Sequence, residues 1–209
     1  MISSPASKTY VAFGAVIIWF SILLQFYVSL QQANFHFIET LKLFLSFFTV
    51  TTNILLGFCL LSLWLAKEKN LGVFFSKSST LTALTVYILV VGLIYNVLLR
   101  GLLHPTGWAR IADELLHVAS PLIFLGFWIF FVDKTKLAYK SAITWLLYPI
   151  AYIVFIVIRG YLINLYPYPF IDVVNLGYPK AFLNAFFCVV LFWLLSILLI
   201  WIGKKTVKH

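Results

Sequence analysis

Six apolar runs, each close to the length needed to cross a bilayer, recur along a chain of 209 residues. They are Tyr10–Leu30, Leu41–Leu65, Leu81–Leu102, Leu115–Val132, Ala142–Leu165 and Ala181–Ile202. A spanning helix needs about 20 such residues. With 63% hydrophobic and 10% charged residues, a soluble domain of this length has too little interior to hide its apolar surface. Backbone inside lipid must satisfy its own hydrogen bonds, so the runs predict helices. A β-barrel would instead show shorter segments of alternating polarity. The predicted fold class is all-α: a polytopic membrane protein with six transmembrane helices, forming a single domain over residues 1–209.

A net charge of +9 invites a nucleic-acid reading, but its distribution argues against one. Lys8, the Lys67/Lys69/Lys77 loop, the Lys134/Lys136/Lys140 loop and the Lys204/Lys205/Lys208 tail all fall on one face. The opposite face has Lys42, Arg100, Arg110, Arg159 and Lys180, offset by Glu39, Asp113, Glu114 and Asp172. The positive-inside rule then predicts that both termini are cytoplasmic. Cys59 and Cys188 sit in apolar runs without paired spacing, which reads as small buried hydrophobes rather than a disulfide or redox centre. The first run is too long and too poorly cleavable for a secretory signal, and is expected to remain as a helix.

The lysine-rich connections are short. Among the others, Gln31–Ile38 joins the first two runs, and His104–Ile111 contains Pro105 and Gly107, which predict a break before a fourth helix beginning near Arg110. Leu165–Pro179 is the longest and carries several prolines, so it cannot continue as a simple helix. It reads either as an interfacial loop with aromatic anchors or as a lid over a cavity.

Polar residues inside the runs are costly and by default mark function. Glu39, Lys42, Ser46, Thr49 and Asn53 follow one another at gaps of three and four, which predicts one face of one helix. The stripe fits helix–helix glue or a wet cavity. Asp113, His117 and Ser120 predict a second polar face. Ser46 lies about 10 Å along its helix from Glu39, and His117 about 6 Å from Asp113. A hydroxyl and an imidazole at similar depth form a minimal nucleophile–base pair if their helices are neighbours. Asp113 would orient the base.

Arg100 follows Asn96 by one turn and Arg159 follows Tyr152 by two. Both arginines sit where snorkelling to headgroups and capture of an anion are open readings. His36, His104, His117 and His209 are scattered and no zinc or haem pattern is present, so no metal and no cofactor are expected.

The segment Leu43-Phe44-Leu45-Ser46-Phe47-Phe48-Thr49, the following Asn53, the Asp113–His117 segment ending at Pro121, Arg159-Gly160 and Tyr166-Pro-Tyr-Pro-Phe-Ile-Asp172 together resemble the androgen-induced-gene family of multispan membrane proteins, in particular its bacterial six-helix branch. The likeness covers roughly residues 40 to 200. Animal members are threonine- and histidine-dependent hydrolases of fatty acid esters of hydroxy fatty acids. The resemblance implies Ser46 at the nucleophile position, with Thr49 as the alternative one turn on, and His117 as the base. Asp113 and Glu114 stand where the family has Asn and His.

The function expected from this reading is intramembrane hydrolysis of a lipid ester. Ser46 or Thr49 would attack, His117 would act as base and Asp113 would orient it. Lys42, Asn53, Asn96, Arg100, Tyr152 and Arg159 would contact the substrate. The expected partners are membrane lipids and a fatty-acyl substrate, with no nucleic acid, and the expected location is a bacterial inner membrane. The sequence sets no oligomeric state. The alternative is a non-catalytic lipid- or solute-binding protein or a transporter, although paired broken spans are missing. A third reading is a structural subunit whose polar residues act as glue.

Overall fold

A computed structural model describes residues 4–66, 68–102 and 104–207. Lys67, Lys208 and His209, which enter the charge and histidine arguments above, lie outside the described residues. The described residues are largely helical and contain no strand. Six helices are long and apolar enough to cross a membrane: Pro5–Gln32, Phe48–Leu65, Ser78–Leu99, Gly107–Phe131, Ser141–Ile163 and Tyr178–Thr206. These are called the first to sixth spans. The chain divides into two compact units, Met1–Lys136 and Leu137–His209.

In the first unit the four spans close a ring. The first packs on the second, the second on the third, the third on the fourth and the fourth on the first. Small residues let the helices approach, as is usual where lipid removes the hydrophobic drive between them. A methyl group at Gly14 would meet Leu60 Cδ1 at 3.0 Å and Ile123 Cγ2 at 3.1 Å. Gly57 lies against the indole of Trp19, and Gly92 against Pro121 and the His117 carbonyl. Side-chain bonds also stitch neighbouring spans together. Tyr10 donates to Ile123 O at 2.8 Å and Trp128 Nε1 to Thr82 Oγ1 at 2.9 Å. Such bonds contribute about 0.5–2 kcal/mol each in membranes.

The second apolar run departs from expectation. It is not one helix: a short helix, Phe37–Phe44, ends at a turn through Leu45 and Ser46, and the span proper begins at Phe48. The stripe from Glu39 to Asn53 is therefore divided between two helices. No proline or glycine causes the break. The Ser46 hydroxyl donates to Leu43 O at 2.5 Å and its N–H to the same carbonyl at 3.0 Å, closing a tight turn. Serine competes with the helix in this way through its own hydroxyl.

The fourth span starts at Gly107, whose φ of 55° suits glycine, a little before the expected Arg110. It contains a π-helical segment, Leu115–Ala119, and the third span ends in another, Tyr95–Leu99. Pro121 explains the first. It has no N–H for the His117 carbonyl and its ring crowds that turn. The helix accommodates by widening, with Ser120 N–H bonded to Leu115 O.

In the second unit, Ser141–Thr144, Leu147–Ile163 and Tyr178–Val207 are joined by the proline-rich connection. That connection is ordered. Pro169–Ile171 forms a 3₁₀ turn and Val173–Leu176 a helical turn capped by Asp172, which accepts from Val174 N at 2.9 Å and Asn175 N at 3.2 Å. Asn184 of the sixth span donates to Phe170 O at 2.7 Å, tying the connection down, and Tyr166 packs over Gly160.

Candidate active site

The two π-helical segments face each other across the third and fourth spans, and the chemistry gathers between them. The imidazole of His117 stacks on the ring of Tyr95 with centroids 3.7 Å apart and planes 13° from parallel. The Tyr95 hydroxyl donates to Asp113 Oδ2. His117 Nδ1 lies 2.9 Å from Asp113 O and 3.2 Å from Asp113 Oδ1. The His117 and Asp113 side chains are only 14% and 13% exposed. Asn96 Nδ2 donates to Gly92 O at 2.7 Å and to His117 O at 3.3 Å, so it takes up the carbonyl that Pro121 leaves without a helical partner.

This geometry decides the tautomer. Both groups facing Nδ1 are acceptors, so Nδ1 carries the proton and neutral His117 keeps its lone pair on Nε2. No described residue bonds Nε2. Asp113 thus does to His117 what the acid does in a catalytic triad: it fixes ring and tautomer and would stabilise the imidazolium once Nε2 takes a proton.

Beside this pair lies a charged cluster. Arg100 forms a bidentate pair with Glu114, at 2.7 and 2.8 Å, while its Nε donates to Asn96 Oδ1 at 2.8 Å. Arg110 reaches Glu114 Oε1 at 2.7 Å. Two guanidiniums share one carboxylate, leaving one positive charge. Hydrogen bonding to Glu114 raises the Arg100 pKa above its ordinary value, and its guanidinium also lies 5.4 Å from the Tyr95 ring centroid.

Ser46 and Thr49 are buried, at 1% and 8% exposure, at the start of the second span. That span touches the π-helical segment carrying His117. Gly14 lies between Leu60 and Ile123, which sets these two residues at one depth. Counting back along two helices that run the same way puts the His117 backbone near Ile54 or Leu55. The ring then reaches back one turn to Asp113. At about 1.5 Å per residue, Thr49 is the nearer of the two to that depth, and Ser46 lies about 4–5 Å further along, before the span begins. Asn53 is fully buried, and its Nδ2 donates to Thr49 O at 2.8 Å. Lys42 is exposed in the last turn of Phe37–Phe44.

Tyr152 and Arg159 belong to the second unit, where Arg159 Nη1 donates to Leu165 O at 3.1 Å. The residue that the sequence reading missed is Tyr95. Its only signal was adjacency to Asn96 in an apolar run. Among the described residues no group of three or more His, Cys, Asp or Glu side chains is placed to hold a metal. The chain matches no family model, no curated protein and no solved structure.

Proposed function

We propose that this chain is an intramembrane hydrolase of lipid esters. The observation that carries the reading is the Asp113–His117 pair. A buried carboxylate holds the proton on Nδ1 and leaves Nε2 as a base, next to a helix that brings buried hydroxyls. Thr49 is the preferred nucleophile on depth, with Ser46 the alternative. As the hydroxyl oxygen attacks the ester carbonyl, Nε2 takes its proton. The imidazolium then protonates the departing alkoxide, releasing the alcohol and leaving an acyl-enzyme. A water, deprotonated by the same nitrogen, releases the acid. No cofactor enters this sequence. The resemblance to the androgen-induced-gene hydrolases supports a fatty-acyl ester as substrate. The shared positive charge of Arg100 and Arg110 supports a carboxylate-bearing one.

The lysine distribution supports cytoplasmic termini and a site opening toward the outer leaflet of a bacterial plasma membrane. The test is a fluorophosphonate probe on purified protein, with the adduct mapped by mass spectrometry. An adduct on Thr49 or Ser46 that disappears in His117→Ala is the expected result. Wild-type protein that neither labels nor cleaves any ester in a broad lipid panel, yet binds fatty acids, would sink the hydrolase and leave the lipid-binding alternative.

A further inference from the structure

Among the described residues of the first unit, three buried polar atoms have no hydrogen-bond partner: Trp19 Nε1, Asn53 Oδ1 and Ser120 Oγ. They come from the first, second and fourth spans and fall within about one helical turn of each other in depth. Leu60 and Ile123 meet at Gly14. Gly57 and Ser120, each three residues earlier, are therefore level, about 4–5 Å further along. Trp19 Nε1 lies at Gly57, within 2.9 Å of where a β-carbon would stand, and Asn53 is one turn beyond. Asn53 and Ser120 are both 0% exposed.

The orphaned atoms are not accidents of side-chain placement. Other buried helical hydroxyls in this chain donate to a carbonyl three or four residues back: Ser21 to Ile18, Thr85 to Leu81 and Ser196 to Phe192. Ser120 does not, at the point where the π-helical segment ends. The Asn53 amide cannot be turned over, because only Nδ2 can donate to the Thr49 carbonyl. Its Oδ1 must therefore face away from that bond. Leaving a buried polar group unpaired is costly, so three within about a turn of one another call for a shared partner.

The donor set selects that partner. An indole N–H repels a cation. A carboxamide oxygen repels an anion. A hydroxyl accepts or donates. What satisfies all three is a neutral group that both gives and takes hydrogen bonds. We propose that the interior of the four-span ring holds ordered water, accepting from Trp19 Nε1, donating to Asn53 Oδ1 and completed by Ser120. Buried waters commonly make two to four such bonds. This inference does not depend on the hydrolase reading.

X-ray radiolytic labelling of unaltered protein in nanodiscs, with oxygen-18 water, tests it directly. Bound water near Asn53 and Ser120 should give hydroxyl label on Leu56 and Leu116 several-fold above Leu63 and Leu81, which are as deeply buried. Equal labelling of the two pairs would overturn the proposal. The second arm is a thermodynamic cycle. In a dry interior Ser120→Ala removes an unpaired hydroxyl and raises the melting temperature. With shared water it should lower it, by roughly 2–4 °C. That loss should vanish in an Asn53→Leu background, where the water has already lost its main acceptor. A rise or no change with Ser120→Ala, or the same loss in both backgrounds, would also overturn it.

Discussion

The rings of Tyr95 and His117 lie face to face at 3.7 Å, and both side chains bond the same carboxylate, Asp113. Tyr95 thus holds His117 twice, once by packing and once through the carboxylate that orients it. Tyr95→Phe keeps the stack but leaves Asp113 Oδ2 short of a donor. It should cost about 1–3 kcal/mol of stability, read from thermal unfolding in detergent. Tyr95→Leu loses the stack as well and should cost more. Equal melting temperatures for wild type and both variants would show that Tyr95 does not support the pair.

Gly92 and Pro121 form the joint behind the site. A methyl group at Gly92 would stand 3.1 Å from Pro121 Cγ and 3.2 Å from the His117 carbonyl oxygen. The backbone oxygen cannot move without shifting His117. Gly92→Ala should therefore destabilise by about 1–3 kcal/mol, the usual cost of overpacking, and reduce ester hydrolysis more than Gly101→Ala, where a methyl group meets nothing. Parallel turnover and melting measurements on the two variants check this.

Asp133 offers a pH signature outside the spans. Its carboxylate accepts the Thr135 backbone N–H at 2.9 Å and the Thr135 hydroxyl at 2.7 Å, which holds its pKa below the ordinary carboxylate value. A depressed folded pKa contributes stability that is present above the ordinary carboxylate range and lost as pH falls through the lowered value. Asp133→Asn should melt below wild type at pH 7, with the gap closing in acid. The group is exposed, so the gap should be small. A gap that widens in acid would reverse the assignment.

How far the sequence carried is plain at particular residues. Apolar length alone predicts six helices, because lipid leaves the backbone no other choice. Spacing alone pairs Asp113 with His117, since four residues is one turn. The break at Ser46 was hidden, because no proline or glycine marks it and a hydroxyl bond back to Leu43 carries no sequence signature. The Tyr95–His117 stack was hidden for a different reason. It depends on the third and fourth spans being neighbours and on Pro121 widening one of them, and neither is local information. For Arg100 the sequence leaves snorkelling and anion capture equally open, because its partner Glu114 comes from another helix.

The lysine pattern makes a topological prediction. In a background without Cys59 and Cys188, a cysteine replacing Tyr168 should react with an impermeant thiol reagent in intact cells, and one replacing Lys205 should not. The reverse result would move the Asp113–His117 site to the cytoplasmic side.

The choice between the two hydroxyls is the most direct chemical test. Ser46 sits in the turn before the second span, with its hydroxyl donated to Leu43 O. Thr49 sits in the span's first turn, nearer the depth of the His117 ring. Thr49→Ala should abolish cleavage of a long-chain ester, while Ser46→Ala should leave part of it and lower stability through the turn. His117→Ala should be as inactive as Thr49→Ala, and the double variant no worse than either, because each single change disables the same step. Losses that multiply in the double variant would mean that Thr49 and His117 act separately, and the nucleophile–base pair would have to be abandoned. If Ser46→Ala proves inactive while Thr49→Ala turns over, the base keeps its role and the turn before the second span, rather than the helix itself, presents the nucleophile.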